Sequence, residues 1–145
     1  MENKTVEMQE KWLRWNPTNI PEGDYIVTGV IQNVEGSKII VENDSKRIIV
    51  FFDGITPLVR TSIEGIRMRT WGEVQKKYNN KFFFQNWFLY RIENSQLSNW
   101  VSEESCGVYD SSELLHYCIV TSEDLIDIIS TFEPKLYIYS QNSEL

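Results

Sequence analysis

A chain of 145 residues with 41 % hydrophobic and 13 % aromatic content has enough apolar material for a core, which excludes disorder along its whole length. Its 21 carboxylates against 14 Lys/Arg leave a net charge of −7, and that opposes direct nucleic-acid binding, which depends on positive potential. Apolar runs such as Ile48–Phe52 are too short to span a bilayer, Met1–Glu10 lacks the apolar stretch of a signal peptide, and two cysteines make no disulfide framework, so a cytoplasmic, reduced protein is expected.

No repeat, low-complexity tract or Pro/Gly/Ser linker divides the sequence, and residues 1–145 are expected to form one domain with 1–20 as a lead-in segment. Three runs rich in Ile, Val and Phe follow, Tyr25–Asn33, Ser37–Glu42 and Lys46–Asp53, joined by Val34-Glu35-Gly36 and Asn43-Asp44-Ser45. Short turn-type joints between strands predict an antiparallel meander. Ile66–Arg69 is read as a further short strand. Thr70-Trp71-Gly72-Glu73 fits a capping box, in which a hydroxyl and a carboxylate satisfy free N–H groups at a helix start.

Phe82–Ile92 is aromatic on both faces and is expected to be the central strand, covered on both sides. A short helix from about Ser95 should bury Leu97, Trp100 and Val101, and Leu114–Val120 reads as a strand. Thr121-Ser122-Glu123-Asp124 is a second capping box, and Leu125, Ile128, Ile129 and Phe132 recur at helical spacing up to Pro134. Leu136–Tyr139 closes the list as a strand. The expected class is α+β, a largely antiparallel sheet beginning with a β-meander, with two or three short helices packed on it.

His116 is the only histidine, so no mechanism can use two imidazoles. A Ser-His-Asp arrangement would have to include it, yet G-x-S-x-G is absent. His116 and Cys118 would share one face of their strand. With Cys106 they lack the spacing of a zinc site, and no glycine-rich phosphate loop occurs. Arg47, Arg60, Arg67 and Arg69 beside aromatics could be imagined as an RNA platform, but the chain's acidity weighs against it. No cofactor, metal or catalytic residue is expected, and His116 and both cysteines are read as structural.

The strongest bias is electrostatic. Between Glu93 and Leu145 ten carboxylates face the single Lys135. Local excess of one sign serves solubility or a partner of opposite charge. Glu103, Glu104, Asp110 and Glu113 bracket the polar stretch Ser105–Ser112, and they are the expected partner contacts. Glu123, Asp124 and Asp127 would extend that patch along the polar side of the following helix.

The phrases Lys-Trp-Leu-Arg-Trp-Asn-Pro (11–17), Asn94-Ser95 with Trp100, Glu104-Ser105, Leu115-His116-Tyr117 and Ile126-Asp127-Ile128-Ile129 leading to Phe132-Glu133-Pro134 resemble small cytosolic proteins encoded beside polymorphic or contact-dependent toxins in Bacillus-like bacteria. The resemblance implies an immunity protein: a non-catalytic inhibitor of a cognate toxin domain, often a nuclease. A nuclease site is basic, so acidity fits it. The competing reading is a non-catalytic interaction or scaffold domain whose acidity serves solubility.

Overall fold

The computed structural model describes residues 9–141; residues 1–8 of the expected lead-in lie outside the described residues. The strands are β1 (Lys11–Arg14), β2 (Ile26–Asn33), β3 (Gly36–Glu42), β4 (Lys46–Asp53), β5 (Leu58–Ile63), β6 (Leu89–Glu93), β7 (Leu115–Val120), β8 (Asp124–Ser130) and β9 (Lys135–Ser140), and the helices are α1 (Met68–Lys77) and α2 (Gln96–Glu104). They form a five-stranded sheet in the order β1-β6-β7-β8-β5 and a four-stranded sheet in the order β2-β3-β4-β9. Every pairing among the described residues is antiparallel, so the class is α+β with mostly antiparallel sheet.

Alternation builds the four-stranded sheet. Ile39 and Val41 of β3 and Ile48, Val50 and Phe52 of β4 are fully buried, every second residue turning to one face as the pleat requires. The first turn depends on Gly36. Its φ is +135°, and a Cβ there would lie 2.0 Å from the Phe52 carbonyl oxygen; only glycine lets the two backbones approach so closely.

The five-stranded sheet is covered on both sides. Tyr117 meets Phe52 with ring centroids 5.6 Å apart, which seats one face on the four-stranded sheet. The opposite face carries Ile129, which packs with Val101 of α2, so the helices form a third layer.

Three expected elements differ. Residues Thr121–Phe132 form a tight turn and β8, not a helix. Thr121 Oγ1 accepts from the N–H groups of Glu123 and Asp124, so the apparent helix cap holds a hairpin turn instead. The Leu125–Ser130 run is buried throughout, and a strand covered on both faces reads as a near-continuous apolar run. That wins over the helical spacing.

Phe82–Ile92 is not one strand. Only Leu89–Glu93 pairs, as β6 beside β1, while β7 takes the centre of the sheet. Asn79 and Asn86 adopt positive φ, 48° and 65°, and the residues between them turn, with Phe83 N–H donating to Asn80 O and Gln85 N–H to Phe82 O. The aromatics there pack as a knot: Phe84 contacts Trp12, Trp71 and Tyr90. Finally, Ile66–Arg69 is no strand. A 3-10 turn at Glu64–Arg67 runs straight into α1, so the helix begins before Thr70 and needs no cap from it.

Candidate functional site

Residues paired across an antiparallel ladder share a face. The row Trp12, Ile92, His116, Ile129, Leu58 and the row Arg14, Tyr90, Cys118, Asp127, Arg60 therefore occupy the face under the helices. His116 and Cys118 do share it. The helical layer leaves this face partly open. A cleft of about 870 Å³ lies between the two helices, its lining including Trp12 and His116 of the sheet, Arg60 of β5, Arg67 just before α1, Arg69 of α1 and Trp100 of α2.

A polar cluster is built into that face. His116 Nε2 lies 2.8 Å from Asp127 Oδ1, and Ser95 Oγ lies 2.6 Å from His116 Nδ1. Asp127 Oδ2 accepts from Arg60 Nε and Nη2 at 3.0 and 2.8 Å and from Arg67 Nη1 at 2.7 Å. Burial by itself would raise the Asp127 carboxyl; the hydrogen bond and electrostatic pull of His116, with the Arg67 and Arg60 guanidiniums, outweigh it and hold Asp127 well below the usual carboxylate range. Ionised Asp127 only accepts, so Nε2 carries the hydrogen. Cys118 behaves oppositely: burial, then the Asp127 charge, push its thiol well up, the state of an inert cysteine.

Ser95, His116 and Asp127 thus form a hydrogen-bonded chain that sequence reasoning missed, since three residues spaced 21 and 11 apart carry no local signature. Its chemistry is constrained. Ser95 is 7 % exposed, and its Oγ accepts from Ser98 N–H as the N-cap of α2. A nucleophile must present its oxygen to substrate, whereas this one serves a helix end and a buried imidazole. Among the described residues no group of three His, Cys, Asp or Glu could hold a metal ion.

The seven carboxylates expected to contact a partner are divided by the fold. Glu103 and Glu104 end α2, Asp110 caps the 3-10 turn Ser111–Glu113 through Ser112, and Glu113 ends it; all four are exposed. The Ser112 backbone and side-chain hydrogen bonds hold the Asp110 carboxyl below its ordinary value. Glu123 is exposed and Asp124 half-buried, but they sit in the turn after β7. The six residues of β7 set them roughly 20 Å from Asp110 and Glu113, so they do not extend that patch. Asp127 is fully buried and faces no partner: as a strand residue it points into the sheet's covered face, where two arginines and His116 pair it.

Trp100, expected in the core, is 50 % exposed. On α2 it lies three and four residues before Glu103 and Glu104, on the same helix surface. Arg67 and Arg69 do not present a common platform: Arg67 turns inward to Asp127, and Arg69 stands 90 % exposed beside Glu73 at 3.9 Å.

Compared with known proteins, the chain matches no family model, no curated protein and no solved structure. No helix among the described residues is long and apolar enough to cross a membrane.

Proposed function

We propose that this chain is an immunity-type inhibitor, binding a basic partner domain, of the toxin nuclease kind, through the surface at the end of α2. One observation carries the reading: half-exposed Trp100 lies one helical turn from Glu103 and Glu104, with Asp110 and Glu113 on the neighbouring 3-10 turn. None of the four carboxylates has an ion-pair partner among the described residues. Tryptophan is usually well buried, and an exposed one amid polar groups has the anatomy of an interface anchor with a charged rim. Unpaired carboxylates around it would steer a cationic partner and accelerate association.

The test pairs this chain with the C-terminal toxin domain encoded by the gene beside its own. The chain should bind that domain and protect cells from it. Changing Glu103, Glu104, Asp110 and Glu113 to Lys should slow association and weaken protection while the melting temperature stays put. A wild-type chain that neither binds nor protects sinks the reading, and undiminished association and salt dependence in the fourfold variant places the interface elsewhere.

A further inference from the structure

The cleft between the helices is a second site of different chemistry, and we propose that it binds a small oxyanion, carboxylate or phosphate, carried on a flat apolar body. The two sites share Trp100, which lines the cleft as well as anchoring the partner surface, but the carboxylates of that surface are not part of the cleft lining and the arginines are.

Charge supplies the first argument. Two guanidiniums converge on one Asp127 oxygen, while the other oxygen is taken by His116. One carboxylate cannot neutralise two arginines, and Arg67 is only 16 % exposed, so solvent screens the surplus poorly. Glu10 also lines the cleft, but its Oε2 accepts from Gln96 N–H at the start of α2; it answers the helix end instead of a guanidinium. Arg69 also stands in the wall, exposed and paired with Glu73 at 3.9 Å. The Arg60 and Arg67 guanidiniums on their shared carboxylate are thus a local cationic spot on a chain of net charge −7.

Donor inventory supplies the second argument. Arg60 uses Nε and Nη2 on Asp127, which leaves Nη1 unengaged among the described residues, and its side chain is 44 % exposed. A guanidinium presents its donors as a fork suited to the two oxygens of a carboxylate or phosphate. Trp12, 3 % exposed and part of the cleft lining, has a buried Nε1–H with no hydrogen-bond partner among the described residues. Such orphaned donors are rare in folded proteins and call for an explanation such as an absent acceptor.

Shape supplies the third. A volume of about 870 Å³ falls within the roughly 300–1,000 Å³ of small-molecule sites. Ile66, Leu97 and Trp100 line it along with the arginines, which suits an apolar or aromatic body attached to the anionic head.

Phenyl phosphate, benzoate, inorganic phosphate and neutral benzyl alcohol are the probes, titrated into the whole chain by calorimetry while the Trp12 indole N–H is followed by NMR. Phenyl phosphate or benzoate should bind and shift the Trp12 resonance, the better of the two identifying the head group. Inorganic phosphate should bind more weakly, and benzyl alcohol should leave the signal unmoved. Arg60→Gln keeps the Arg67–Asp127 pair and should weaken binding about tenfold or more; should that variant melt early, Arg69→Gln, on an exposed side chain, decides by a smaller loss. Failure of both aryl anions to bind overturns the proposal, as does binding that is indifferent to both arginine variants.

Discussion

Asp127 gathers four hydrogen bonds in one side chain. It is fully buried and accepts from His116, Arg60 and Arg67. Replacing it by Asn keeps the shape but strands two cations. Removing one member of a buried ion pair costs roughly 3–5 kcal/mol, and since Arg60 is 44 % exposed water recovers part of that, so about 3 kcal/mol is expected. The sign of the pH effect follows from the depressed carboxyl. The unfolded chain binds a proton near pH ~3.9, the folded one only at lower pH, so this contribution is complete above the ordinary Asp range and is lost as pH falls through the folded value. Chemical denaturation of wild type and Asp127→Asn should therefore show a gap that is widest at neutral pH and narrows below pH ~4. A gap of constant width would remove Asp127 from the acid limb.

At the scale of elements, the aromatic stretch before β6 separates into buried and exposed members. Phe88 is 1 % exposed and stacks obliquely on Tyr25 and Trp87, whereas Phe82 is 58 % exposed. Phe88→Ala should cost about 3–5 kcal/mol, and Phe82→Ala about 0.5 kcal/mol or less. Thermal melts of the two variants check this, and equal losses would contradict the division. The sequence made burial here legible but not geometry: apolar content is visible in composition, while the left-handed Asn79 and Asn86 that curl the stretch into turns are ordinary-looking polar residues. The meander was legible because its strands are bounded by Gly36 and by Asn43, whose Oδ1 accepts from Ser45 and Lys46 N–H. The same local grammar misled at Thr121, because a Thr hydroxyl serves a helix start and a hairpin turn through identical bonds. β5 went unread: Leu58–Ile63 has Arg60 and Thr61 exposed, and an edge strand needs little apolar pattern of its own. Of the candidate site, the exposed carboxylates were legible as charge. The cleft was not, because Trp12, Arg60, Arg67 and His116 meet only through pairings far apart in sequence.

At the scale of the whole molecule, both sheets are stitched by distant segments. β1 pairs with β6 about eighty residues later, and β4 pairs with β9, from Lys46↔Ser140 to Phe51↔Lys135. The four-stranded sheet thus has its third strand early and its fourth late. Loop closure over such separations makes folding slow and leaves intermediate edges open. A chain ending before Lys135 would leave β4 as an edge with Ile48 and Val50 beneath it. It should bind a hydrophobic dye, sediment as aggregates and lose the sharp melt of the intact chain; a truncated protein that stays monomeric with a sharp melt would show that β9 is dispensable.

The late position of β9 also sets a schedule for biosynthesis. Translation runs at roughly 5–20 residues per second, so the 81 residues between the end of β4 at Asp53 and the start of β9 at Lys135 take about 4–16 s to emerge. For that interval the nascent β4 presents an unpaired hydrogen-bonding edge, the template along which strands of neighbouring chains can add. A crowded polysome brings identical edges close together. Charge would hold sibling chains apart only in the second half of that interval: residues 54–92 carry seven Lys/Arg against two carboxylates, and the eight carboxylates from Glu93 to Asp127, with no Lys or Arg among them, emerge after those.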